Sequence, residues 1–346
     1  MTDLRELLGI RHPIILAPFG GLSSVPLTAA VSEAGGLGSY GLYGYDGQRI
    51  RETAAALREV TDAPFALNIW LPTGDEVAPG REHDAYAAAL LPYFTAVGMD
   101  PPARPERYLP SLDEQLDAIW AAAPAALSVV FGVPSAAIVD EAHRRGIRVI
   151  GTATTVAEAV ALEAGGVDAI VATGAEAAGH RVSFLRPAEQ SLVGLFSLLP
   201  QVSDAVAVPV IAAGGVADRR GVTAALALGA AGVQVGTSFL VTGESAANDA
   251  HRAAIRATAA DESVLTRAMS GRLSRGARNH AVAEIEASGA IAPFPAQNWL
   301  TGRFRAVAGQ RGMGELQSLW LGQSAPLATR GTADDVFAEL VAGLTL

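Results

Sequence analysis

The run Thr173-Gly174-Ala175-Glu176-Ala177-Ala178-Gly179-His180-Arg181 sets one imidazole among small residues directly after the apolar segment Gly166 to Ala172. Imidazole exchanges a proton near neutral pH, so a histidine presented this way has the chemistry of a general base. The apolar segment reads as a buried parallel strand, which puts His180 in a flexible loop at the strand's carboxyl end. In α/β folds that end gathers ligands and catalytic groups. The other five histidines, His12, His83, His143, His251 and His280, lie in starts, helices or polar surroundings and read as surface residues. Glu176 either orients His180 or caps a turn.

A second set of residues has the chemistry of anion binding. Ala213-Gly214-Gly215 and Gly236-Thr237 follow two further apolar segments. Glycine lets backbone N–H groups approach an anion, and the helix that starts behind it adds a favourable dipole. Matched positions in consecutive units point to a phosphate-bearing ligand. Ala17-Pro18-Phe19-Gly20-Gly21 is a tight turn whose backbone and aromatic ring can line a flat ring system. Asn68 interrupts an apolar strand, and a heteroaromatic edge carrying carbonyl and N–H groups would satisfy both its donor and its acceptor. Arg272, Arg275 and Arg278 gather among glycines, where they pin a subdomain, bind an anion or are simply solvated. Leu319-Trp320-Leu321-Gly322-Gln323 reads as part of a ligand rim.

Composition removes several chemistries. There is no cysteine, so disulfides, thiolate nucleophiles and Cys-ligated metals are out. A metal site is disfavoured because no His or carboxylate pair accompanies His180 at ligand spacing. All 25 basic residues are arginine, which leaves no lysine for Schiff-base chemistry. No Gly-x-Ser-x-Gly elbow is present. Gly35-Gly36-Leu37-Gly38 precedes a strand rather than opening a helix, and reads as a helix C-cap. Net charge is −10 with a pI near 5.1 and no basic stripe, which argues against nucleic acid. The long uncharged run from Ala118 to Val139 is broken by Pro124, Gly132 and Pro134, so no membrane span is expected. The N-terminus lacks a basic, apolar leader, which suggests a cytoplasmic protein. Redox work would fall to a bound organic cofactor.

These residues need a scaffold, and the sequence supplies an alternation of short apolar runs with helix-period segments. Strands are expected at Pro13 to Ala17, Gly38 to Tyr40, Phe65 to Ile69, Leu127 to Phe131, Arg148 to Ile150, Asp168 to Ala172, Val208 to Ala212 and Gly232 to Val235. Helices are expected between them, the first around Pro26 to Ala34 with Ser23 or Ser24 as cap, another at Arg186 to Val202. Eight such βα units close a TIM (β/α)8 barrel. Half the residues are hydrophobic but only 6% aromatic, with 37 glycines, which suits small-residue packing on a parallel sheet. The barrel is expected over residues 1–243, with an excursion at 72–110 over its mouth. A small C-terminal helical subdomain follows at 244–317, with helices at Asn248 to Ala259 and Ser263 to Met269. Residues 318–346 return to the barrel, ending in a helix within Thr332 to Leu346.

Taken together, the chain resembles the nitronate monooxygenases, also called 2-nitropropane dioxygenases. The match is carried by Pro13-Ile-Ile-Leu-Ala-Pro18, Ala30 to Gly38, Gly174 to His180, Ala213-Gly-Gly215, Gln234-Val-Gly-Thr237 and Leu319 to Gln323. The resemblance implies a barrel holding non-covalent FMN under a small helical domain. It implies that Pro18, Phe19, Gly20, Asn68, Thr152 and Gly179 approach the flavin, that Gly214, Gly215, Gln234, Gly236 and Thr237 hold its phosphate, and that His180 is the base. The chain departs from the family where some members carry Met for Phe19, Lys for Thr152 and Gly for Ala178. The implied reaction converts alkyl nitronates, with nitroalkanes as further substrates, and O2 into carbonyl compounds and nitrite. An NAD(P)H-dependent reductase of quinones or enoyl thioesters on the same barrel is the alternative. A non-flavin enzyme of phosphorylated metabolites comes next. A homodimer is left open.

Overall fold

The computed structural model describes residues 3–344. In chain order the strands are β1 (Ile14–Leu16), β2 (Gly38–Gly41), β3 (Phe65–Trp70), β4 (Ala126–Val130), β5 (Arg148–Ala153), β6 (Ala169–Thr173), β7 (Gly179–His180), β8 (Val210–Ala213), β9 (Gly232–Val235), β10 (Ser263–Thr266) and β11 (Ser274–Ala277). Eight of them pair in parallel in the order β1-β9-β8-β6-β5-β4-β3-β2. The ends of that order meet where Leu16 N–H donates to Leu37 O and Leu37 N–H to Ile14 O, which closes a TIM barrel.

Side-chain alternation sorts the barrel into two apolar layers. Ile15, Ala66, Ala126, Ile150, Ala169, Val171, Ile211 and Ala213 form the interior with Leu4 and Leu8. The N-terminal helix Leu4–Leu8 thus plugs the bottom. Outward residues such as Leu16, Ile170 and Ala172 pack under the surrounding helices. Four of the interior positions are alanine, which is how a core of this size is filled with so few aromatics. The first barrel helix is Val25–Glu33, capped by Ser24 Oγ accepting from Leu27 N–H. Gly35 beyond it has φ +96°, as a helix-terminating glycine requires. The helix Ala333–Val341 returns to this neighbourhood, where Phe337 lies so close to Gly36 that a Cβ there would clash. Thr345 and Leu346 lie outside the described residues.

Several sequence expectations are corrected. The helix expected at Arg186 to Val202 instead runs Leu195–Ala205, because the preceding stretch with Pro187 and Gly194 supports only one 3-10 turn. The helix expected at Ser263 to Met269 is β10 followed by a turn. Its β-branched residues Val264 and Thr266 pair antiparallel with β11. β7 then adds to the other edge of β11, with Ser274 opposite His180 and Arg275 opposite Gly179. The His180 run is therefore not a flexible loop but an edge strand of a small antiparallel sheet.

Above the barrel mouth, the helices His83–Ala89 and Leu91–Ala96 pack into one apolar cluster with Met269, Val282, Ile285, Leu300 and Phe304. Chain segments about two hundred residues apart in sequence thus share one cap. No helix among the described residues is long and apolar enough to cross a membrane.

Candidate active site

A cavity of about 1080 Å3 opens between the barrel's carboxyl face and the cap. Its floor is built from βα loops. Pro18, Phe19 and Gly20 leave β1, and the buried hydroxyl of Ser23 holds their turn by accepting from Phe19 N–H and Gly41 N–H at 3.1 and 2.9 Å. Asn68 and Thr152 enter from β3 and β5, both buried. Gly214 and Gly215 follow β8, and Gln234, Gly236 and Thr237 come from the end of β9. All of the residues expected at a cofactor, Gly179 included, therefore line one cavity.

The floor has the shape of a cradle. Gly214 and Gly215 have φ of +97° and +73°, and a Cβ on Gly214 would sit 3.1 Å from the Ala177 Cβ. Thr237 Oγ1 accepts from Gly322 N–H at 3.1 Å, which leaves its own proton to give to a ligand. Asn68 differs from expectation in one respect. Its amide nitrogen donates to Ser128 O and Oγ at 3.2 and 3.1 Å, so only its oxygen is left to meet a ring edge.

His180 stands opposite this floor, in the seam between barrel and cap. Its Nε2 lies 2.8 Å from Ser270 Oγ, and Ser270 in turn donates to Arg272 O at 3.0 Å. A hydroxyl has one proton, so this assignment puts hydrogen on Nε2 and leaves Nδ1 as the acceptor. Trp70 packs edge-on to the imidazole with ring centroids 4.8 Å apart, and Trp320 lies at 5.5 Å. Burial, followed by the nearby positive charges of Arg272 and Arg305, pulls the imidazole pKa down to about 3. The ring is neutral at physiological pH.

The neighbours of His180 have settled roles. Glu176 does not touch the imidazole; its carboxylate accepts from Leu195 N–H at 2.9 Å and caps the helix Leu195–Ala205. Arg275 pins the cap to the His180 run through Ala175 O at 3.0 Å. Arg272 stacks over Phe294 at 3.8 Å and pairs with Glu76 at 2.8 Å, tying the excursion to the cap. Arg278 is exposed. Trp320 and Gly322 line the cavity, whereas the Gln323 side chain is exposed. His83 and His251 are corrections. Both are buried, His83 between Tyr108 and Pro102 O, His251 against Trp320 O at 2.8 Å beside the cavity.

The family model described as nitronate monooxygenase matches residues 1–343. The chain belongs to the nitronate monooxygenase family. A probable nitronate monooxygenase of Staphylococcus aureus is 38% identical over 98% of this chain and 96% of its own length. Among solved structures, the nitroalkane oxidase from Streptomyces ansochromogenes superposes with a TM-score of 0.87 at 33% identity, covering 99% of both chains. FabK from Thermotoga maritima gives 0.78 at 28% identity, covering 99% of this chain and 96% of its own. As a nitronate monooxygenase family member, the chain is a flavin-dependent oxidoreductase.

Sequence reasoning missed most of the upper half of this family member's cavity. Tyr43, Trp70, Trp299, Arg305 and Ser318 all line it, with Phe131 and Phe294 behind. Trp299 and Arg305 share the helix Ala296–Gln310 and the others come from separate segments, with no motif to mark any of them. Phe131 adds a backbone mark that sequence does not show, a φ of +71° for a bulky residue next to the site.

Proposed function

We propose that the cavity holds FMN non-covalently and that the protein oxidises alkyl nitronates with O2 to carbonyl compounds and nitrite. The observation that carries this reading is a neutral, half-buried imidazole facing a glycine cradle across one chamber. Pro18, Phe19, Gly20, Asn68, Thr152 and Gly179 would meet the flavin ring system. Gly214, Gly215, Gln234, Gly236 and Thr237 would hold its phosphate through backbone N–H groups and the Thr237 hydroxyl. When bound, the flavin supplies the electron transfer and O2 chemistry that no side chain here can perform.

The chain's own groups bias the substrate. The guanidinium of Arg305, which no carboxylate among the described residues matches, lines a chamber whose histidine is uncharged, so a preformed nitronate anion is favoured over a neutral nitroalkane. A neutral imidazole with so low a pKa is a weak acceptor for a carbon-bound proton. His180 Nδ1 takes that proton when a nitroalkane is used, and Ser270 holds the ring in the tautomer that allows it. The aromatic wall and the cap exclude water from the reacting end.

The purified, flavin-loaded protein tests this directly. Anaerobic addition of a nitronate should change the visible flavin band, and admitting O2 should then release nitrite. NADH alone should leave the band intact. Bleaching by NADH without any response to nitronates would overturn the reading in favour of a reductase.

A further inference from the structure

The helix Ala296–Gln310 lays Arg305 against the ceiling of the chamber. Its Nη1 donates to Ser318 Oγ at 2.6 Å and its Nη2 to Asn298 Oδ1 and O at 2.6 and 3.3 Å, while its buried Nε has no partner. Among the described residues no carboxylate pairs with it. Arg49 and Arg303 also line the cavity, but both are exposed and lie over the rings of Tyr45 and Trp299. Arg272 is matched by Asp75 and Glu76. Arg181, whose buried Nε also has no partner, and Arg275 donate to loop carbonyls and do not line the cavity. The groups facing Arg305 are uncharged. Burial pushes the Tyr43 phenol up to about 12, and His180 is neutral. A desolvated cation without a counter-ion is costly, and the cost is relieved when an anion binds.

We propose that Arg305 is the anion-selecting residue of the chamber. Its guanidinium, held in orientation by Ser318 and Asn298, receives an oxygen of a nitronate head group across the chamber from His180. With both Nη2 protons on Asn298 and one Nη1 proton on Ser318, the second Nη1 proton is left for a charge-assisted hydrogen bond to an anion's oxygen. The inference rests on the nitronate reading for the identity of the anion, but not for the existence of the anion site.

Nitrate, a planar oxyanion without reducing power, is the probe. Its binding to the flavin-loaded protein is followed through the flavin absorbance, and KM and kcat are measured with a nitronate and a neutral nitroalkane. Arg305→Gln should weaken nitrate binding and raise KM for the nitronate by about ten- to hundredfold, with a much smaller change in kcat and in KM for the nitroalkane. Arg305→Lys should recover part of the loss. An Arg305→Gln protein that keeps its flavin and binds nitrate as the parent does would overturn the proposal. So would an equal rise in KM for the charged and the neutral substrate. Should Arg305→Gln fail to fold, Arg305→Lys and Ser318→Ala carry the test, and unchanged nitrate affinity in both overturns it. Arg305-dependent nitrate binding in a protein that makes no nitrite from nitronates would keep the anion site and remove the reaction. Nitrite formation at the parental KM by Arg305→Gln would do the reverse.

Discussion

The floor and the ceiling of the chamber are made by different means. The floor uses backbone: turns after β1, β8 and β9 whose glycines admit N–H groups and leave room for a ligand. The ceiling uses side chains, an arginine and a set of aromatic rings brought from the excursion, the cap and the far end of the chain. A cofactor shared by many substrates can be held by backbone, which is indifferent to sequence outside the glycines. A substrate is selected by charge and shape, which only side chains vary. His180 lies at the junction, its run leaving the barrel after β6 and pairing with the cap through β11.

The sharpest way to break this contrast is to add atoms to the floor. Gly214→Val places a branched side chain at φ +97° and against Ala177, so flavin should be lost outright, seen as colourless protein. Retained flavin would show that the cradle does not hold the cofactor. His180→Asn comes next. Turnover of neutral nitroalkanes should fall at least about a hundredfold, and that of preformed nitronates much less. Equal losses on both substrates would remove the base role.

Acid stability gives a smaller effect. The folded pKa of His180, about 3, lies below the ordinary value of 6.5, so the unfolded chain binds the proton first. The stabilisation is therefore complete above pH 6.5 and is lost as pH falls toward 3, at about 1.4 kcal/mol per pH unit for one proton. His251, lowered by burial, acts in the same direction. Denaturant unfolding of the parent and His180→Asn between pH 7 and pH 4 checks this, since the variant should show the shallower decline. The smallest effect belongs to Glu176→Gln, which weakens a helix cap. It should cost about 1 kcal/mol in thermal unfolding and leave the pH dependence of turnover unmoved. A shifted pH profile would return Glu176 to the imidazole's environment.

Much of the floor was legible in the sequence because its determinants are local. A glycine pair after an apolar run means the same turn wherever it occurs, and eight such runs in alternation with helical segments leave few other folds. The cap was less legible. Ser263 to Thr266 reads as helix in the sequence because its strand character depends on a partner eight or more residues away. His83 and His251 read as surface in the sequence because nothing local records the packing that buries them. Arg305 carries no mark in the sequence, since an arginine on a helix is ordinarily solvated.

By itself, then, the sequence determined the barrel, its glycine turns, the absence of cysteine and lysine chemistry, and the one histidine set after a core strand. Only the tertiary structure decided the state of that histidine and the sign of the chamber around it. The reason is physical. Backbone preference and strand alternation act over a few residues, whereas desolvation and charge depend on every group brought within several ångströms by the fold.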